Sequence, residues 1–227
     1  MSISGKVAVI TGASGDLGSV VVERFSHGGA TVAAVTHSPT SVPDARLSLQ
    51  ADLSDEPQVE RLMADVVAQL GRLDILLNLV GGWAGGQKIH ELDLAVWQHM
   101  QTMNLTSAFL CSKHALKYML PAGYGRIVNV AAKSAFDLGP GVAAYAVAKA
   151  GVVALTICLA HELKATGVSA ACIAPSTMDM PKNRESMPKA DPAKFIKPEQ
   201  IAETLVWLAS AEGGAANGVV VPLFGGM

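Results

Sequence analysis

Seven short strand-like runs recur along the chain, at 6–11, 31–36, 46–50, 73–79, 125–131, 168–174 and 218–222, and apart from Arg46-Leu-Ser-Leu-Gln50 they are rich in apolar residues without polar alternation. A strand with one face in water alternates; a run that is apolar throughout needs cover on both faces. That cover is available, because longer stretches with helical patterning lie between the runs, near 17–28, 55–70, 93–120, 144–165 and 198–209. Ser54 or Asp55 can cap one of these, and Pro198 opens another at its first helical position. Such alternation predicts an α/β fold: a doubly wound parallel sheet with helices on both faces and right-handed crossovers.

Composition narrows the setting. The 227 residues suit one domain, residues 1–227, and with half of them hydrophobic and 16% charged they can fill a core. A net charge of −2 with scattered Lys and Arg offers no face for nucleic acid or an anionic membrane. The three cysteines, Cys111, Cys158 and Cys172, form no C-x-x-C pair and read as small hydrophobes in a reducing, cytoplasmic setting. The N-terminus leads straight into an apolar strand, which leaves no room for a signal peptide. The apolar stretch Val142 to Ala160 contains Lys149 and reads as a buried helix, not a membrane span. The six histidines are dispersed, so no metal site is expected. One segment breaks the rhythm: 176–197, polar and carrying Pro181, Pro188 and Pro192, stands where open α/β sheets bind ligands and is the expected substrate loop.

Thr11-Gly-Ala-Ser-Gly-Asp-Leu-Gly18 joins the first strand to the first helix. Glycines there let the backbone turn tightly and approach a pyrophosphate, which the helix N-terminus favours. With this turn the sheet is expected to be of Rossmann type, and a dinucleotide its ligand. Tyr145 and Lys149 lie four apart on a later helix, and so share one face. An ammonium beside a phenol of ordinary pKa near 10 is expected to lower it towards the working range of an acid/base group.

These residues resemble the short-chain dehydrogenase/reductase family, in order and over essentially the whole chain. Thr11, Gly12 and Gly18 match the family's turn T-G-x-x-x-G-x-G; Asp16 replaces its middle glycine, and Gly15 stands one place early. The resemblance puts the phosphates at Gly12, Ser14, Leu17 and Gly18. Asp16 has two readings: set against the pyrophosphate, or pointing outward and complementing the helix dipole. Asp52 and Leu53 match the adenine-contacting positions, and Asn78 and Gly81 are what survives of the family's N-N-A-G. Asn104 matches the helix asparagine that holds a water in the proton relay, or else is an ordinary helix-interior amide. Tyr145-Ala-Val-Ala-Lys149 matches Y-x-x-x-K, in which the lysine also bonds the nicotinamide ribose. Pro175, Thr177 and Met178 follow the cofactor-carboxamide turn, with Ser176 replacing the usual glycine.

The family places a serine thirteen residues before the tyrosine, where this chain has Ala132. Ser134 either substitutes or is a capping hydroxyl. Losing an orienting donor costs on the order of 10²-fold or more in rate when nothing replaces it. Around 129–208 the sequence resembles the dihydropteridine reductases, a branch that lacks the serine and reduces an imine system. Trp83 is either a substrate-side platform or packed under its loop.

At the end of the second strand Thr36, His37 and Ser38 offer donors and no acid, which favours NADP over NAD, although no Arg or Lys is there to clamp a 2′-phosphate. His37 can equally be an exposed turn residue. The expectation is an NAD(P)H-dependent oxidoreductase acting on a small carbonyl or imine, pterin-like imines included. The alternative is a dinucleotide-binding sensor or scaffold that has lost the chemistry. The resemblance also implies a homodimer or homotetramer through the helices at 93–120 and 144–165.

Overall fold

The computed structural model describes residues 2–226. Seven strands, β1 (Val7–Thr11), β2 (Thr31–Thr36), β3 (Leu47–Gln50), β4 (Ile75–Asn78), β5 (Gly125–Val130), β6 (Val168–Pro175) and β7 (Val220–Leu223), form one parallel sheet in the order β3-β2-β1-β4-β5-β6-β7. The chain works outward from β1 to β3 and then returns to lay β4 on β1's other side. That reversal opens a crevice at the carboxyl ends of β1 and β4, where doubly wound sheets bind ligands.

Helices α1 (Asp16–His27) and α8 (Pro198–Ala209) cover one face. Val21, Val22, Phe25, Ile201 and Leu205 are buried there, each burial contributing about 1.5–3 kcal/mol. Helices α2 (Glu56–Leu70), α4 (Ser107–Ala122) and α6 (Ala143–Glu162) cover the other. The Asp55 carboxylate caps α2 by accepting from the Gln58 N–H, and Gly71, at φ 82°, closes it. Helix α6 is long and apolar enough to cross a membrane, yet it lies against the sheet with Lys149 buried.

Two expectations are refined. The stretch 93–120 is not one regular helix. It runs as α3 (Leu94–Gln101), a π-helical turn (Thr102–Thr106) and α4, because one surplus residue is accommodated where Asn104 turns inward. The segment 176–197 is likewise more than a loop. It carries α7 (Pro181–Ser186) and a 3₁₀ turn (Pro192–Lys194), and Met178 pairs with Ile196 to tie its two ends together. A further short helix, α5 (Ser134–Asp137), follows β5.

Polar groups inside the sheet are paired across elements. Asn129 on β5 accepts from the Asn78 amide at 2.8 Å and donates to the Thr156 hydroxyl at 2.9 Å, linking β4, β5 and α6. At the opposite end, buried Arg126 donates to the carbonyls of Gly125, Gly167 and Ser210.

Candidate active site

The glycine turn is built from contacts that side chains would block. Gly12 is left-handed, at φ 67°, and a Cβ there would stand 3.3 Å from the Val80 nitrogen. A Cβ on Gly18 would fall 2.1 Å from the Gly12 carbonyl oxygen, so only glycine lets α1 sit this close to the turn. Gly15 is the N-cap and no side chain caps the helix, which leaves its first N–H groups to an anion. Ser14 is exposed beside them. The Leu17 side chain is in the core, so only its backbone faces that end. Asp16 is exposed in the first helical turn, where its charge complements the dipole. This cradle fits a dinucleotide pyrophosphate.

At the end of the second strand Thr36 is buried, and its hydroxyl donates to the Ser38 carbonyl at 2.7 Å, which shapes the turn. His37 is exposed, with its carbonyl accepting from Gln50. The Asp52 carboxylate accepts from the Ser54 N–H at 2.9 Å and hydroxyl at 2.6 Å, which holds it below the usual range. Leu53 beside it is buried. Asn78 is buried, and its amide donates to Asn129 and Ser112, bracing β4 against β5 and α4 from within.

Where the chain leaves β4, three candidates meet. A Cβ on Gly81 would lie 2.9 Å from Asn104 Oδ1 and 3.0 Å from Lys149 Nζ. Asn104 Oδ1 accepts from the Gly82 N–H at 3.1 Å, while its Nδ2 donates to the Gly82 carbonyl at 3.0 Å and to Met100 O at 3.1 Å. The side chain therefore clamps the loop after β4 to the π turn. Gly82 and the Val130 carbonyl were not among the expected site groups. Gly82 had a signal, the Gly81-Gly82 pair after a strand, but a strand-end carbonyl has none.

Tyr145 and Lys149 share one face of α6, with Lys149 Nζ 5.9 Å from the Tyr145 ring centre. The ammonium donates to the Val130 carbonyl at 2.8 Å. Burial among neutral groups pushes Lys149 down to about 8. Burial also pushes the Tyr145 phenol up to about 12. This is opposite in direction to the expected lowering, and its cause is the burial of the phenol. In this geometry Tyr145 keeps its proton at neutral pH.

Ala132 is buried and offers no donor. Ser134 opens α5, partly buried, and its hydroxyl makes no hydrogen bond with any other described residue. The Ala131 and Lys133 N–H groups donate to the carbonyls of Ile173 and Pro175, each at 2.8 Å, so the turn after β5 hangs from β6. Past Pro175, the Thr177 carbonyl accepts from the Ile196 N–H at 3.0 Å and Met178 O accepts from the Asn183 amide. Trp83 is 66% exposed, and its ring lies over Gly85, where a Cβ would come within 2.6 Å.

Below pH about 8 the folded chain keeps Lys149 charged against its burial. Between there and the ordinary lysine value of 10.5 the unfolded chain binds the extra proton, so stability rises with pH. The Lys149→Met chain has no charge to bury. Its melting temperature at pH 7, without cofactor, is expected to exceed the wild type's by several degrees, at about 2–4 °C per kcal/mol. The gap should narrow as pH rises from 8 to 10, which calorimetry across that range checks.

A family model described as short chain dehydrogenase matches residues 6–191. The chain is 31% identical over 238 residues to cis-4-hydroxycyclohexanecarboxylate dehydrogenase of Sinomonas cyclohexanicum, covering 97% of this chain and 96% of that one. It is 32% identical over 243 residues to meso-2,3-butanediol dehydrogenase of Serratia marcescens, covering 100% and 96%. A solved structure of a candidate gluconate dehydrogenase from Agrobacterium tumefaciens superposes with a TM-score of 0.91 at 29% identity, over 100% of this chain and 97% of that one. Matched along most of its length and in its fold, the chain belongs to the short-chain dehydrogenase/reductase family and is an NAD(P)-dependent oxidoreductase.

Proposed function

We propose that the enzyme reduces a small carbonyl or imine compound, with Tyr145 as the proton donor. The observation that carries this reading is the convergence of Lys149, Asn104 and Gly81 beside Tyr145, at the same sheet edge as the uncapped N-terminus of α1. A bound nicotinamide supplies the hydride. The chain's part is to hold the phosphates on Gly12, Ser14, Leu17 and Gly18, and to place the Tyr145 hydroxyl where charge develops on the reduced oxygen or nitrogen. Lys149 then supports the phenolate left behind. With Ala132 in the serine position, a substrate whose reacting atom is already polarised suits the site, and electron-poor imines such as quinonoid pterins belong to that class. NADP is favoured over NAD, because no acid stands at 36–38 to repel a 2′-phosphate. Ser134 is proposed as an auxiliary donor, and Pro175, Thr177 and Met178 as the wall beside the carboxamide.

The exposed Phe109 on α4 and Val147 and Ile157 on α6 give these helices an apolar outer face, through which we propose self-association into a dimer or tetramer. Light scattering should report a mass at least twice that of the chain.

Oxidation of NADPH with a panel of quinonoid dihydropterin, quinones and small ketones tests the activity. Tyr145→Phe should lower the rate by about 10²–10⁴-fold while leaving cofactor affinity unchanged. Turnover indifferent to Tyr145→Phe would sink this mechanism, and tight cofactor binding without any wild-type turnover would indicate a sensor instead.

His37→Asp should shift the ratio of NADPH to NADH affinity towards NADH, as read by fluorescence titration of both cofactors. An unchanged ratio would mean that the end of β2 does not face the ribose.

A further inference from the structure

Lys133 follows directly on Ala132, the position that lacks its donor, and plays no part in the acid/base set. Its backbone is fixed by the bond to Pro175, three residues past the Val130 carbonyl that holds Lys149. Three residues span at most about 10 Å, so Lys133 belongs to the same sheet edge as the acid/base centre. The ammonium lies 5.6 Å from the centre of the Phe224 ring, beyond the end of β7. Phe136 meets Phe224 with ring centres 6.5 Å apart and planes at 59°, and the two form an aromatic corner behind the charge.

The Lys133 side chain is 29% exposed, so its stem is covered and its head reaches solvent. Its one ion-pair partner among the described residues is Asp137, 3.3 Å away and 58% exposed. Lysine preceding the acid at i, i+4 is the weaker order on a helix, and exposed pairs hold little energy. The ammonium is therefore available to a better partner that also covers the aromatic rings.

We infer that Lys133, backed by Phe136 and Phe224, binds a carboxylate at the end of the substrate remote from Tyr145. The substrate class is then a small cyclic or chain carbonyl or imine compound carrying an acid group. This rests on the reductase reading above. It also answers Ala132: a substrate anchored at its far end is oriented by position, without a hydroxyl donor at the reacting atom. Charge-assisted bonds with aromatic backing favour the anion over a neutral analogue of equal shape.

The test is calorimetric titration of the NADPH-loaded protein with 4-oxocyclohexanecarboxylate and with the matching carboxamide. The wild type should bind the carboxylate about tenfold or more tightly than the amide. Lys133→Gln should bind both equally, Lys133→Arg should keep the preference, and Asp137→Asn should tighten the carboxylate by removing its competitor. Melting curves of each variant with NADPH establish that the fold is retained. Equal binding of the two probes by the wild type, no binding of either, or a preference that survives Lys133→Gln would overturn the inference. Because the titration reads binding alone, absence of turnover would count against the redox reading and leave this result standing.

Discussion

Every strand runs the same way, so all seven carboxyl ends line a single edge, and each arrives there with backbone groups its neighbours no longer pair. Those groups must be bonded by something. The Thr11 hydroxyl donates to the Leu77 carbonyl and accepts from the Leu79 N–H, closing the crevice floor between β1 and β4. The Pro175 carbonyl takes the Lys133 N–H, and the Val130 carbonyl takes the Lys149 ammonium. The site is thus assembled from the sheet's unfinished hydrogen bonding. Lys149 is held in place by the same requirement that ends β5.

The helices supply what the edge cannot. Gly18 brings α1 against the turn so that an N-terminus faces the crevice, and Asn104 fastens the loop after β4 to the far helix. The arrangement costs stability where it matters to chemistry, since Lys149 is buried among neutral partners. The opposite shifts of Tyr145 and Lys149 follow from one cause, burial, acting on an acid whose charged form is negative and on a base whose charged form is positive.

Much of this was legible in the sequence. Apolar runs without alternation gave the parallel sheet, and the glycine turn and Tyr145-Lys149 spacing located the crevice and one helix face. Four things were not legible. The direction of the Tyr145 shift depends on how deeply the phenol is covered, which spacing does not encode. Thr36 and Asn78 had suitable chemistry at suitable positions, but their partners, Ser38 O and Asn129, are fixed by register between strands and by the turn's path. The Val130 carbonyl carries no side-chain signature at all. The substrate segment was seen as polar and proline-rich, yet its short helix and its Met178–Ile196 pairing depend on contacts between its ends.

The π turn at Thr102–Thr106 sets a phase. Each residue advances a helix by about 100° and 1.5 Å, so the surplus residue decides which way everything before it faces relative to everything after it. Helix α4 is indexed to the sheet through Leu110, Cys111 and Met119, whereas α3 is indexed to α6, with the Gln101 amide donating to the Ala144 carbonyl. Deleting one residue between them would restore regular winding and leave every side chain's chemistry intact, yet it would swing α3 off α6 and carry Asn104 away from Gly82. The site is therefore specified by residue count as much as by residue type, and insertions or deletions in this stretch would be harder for the chain to absorb than most substitutions.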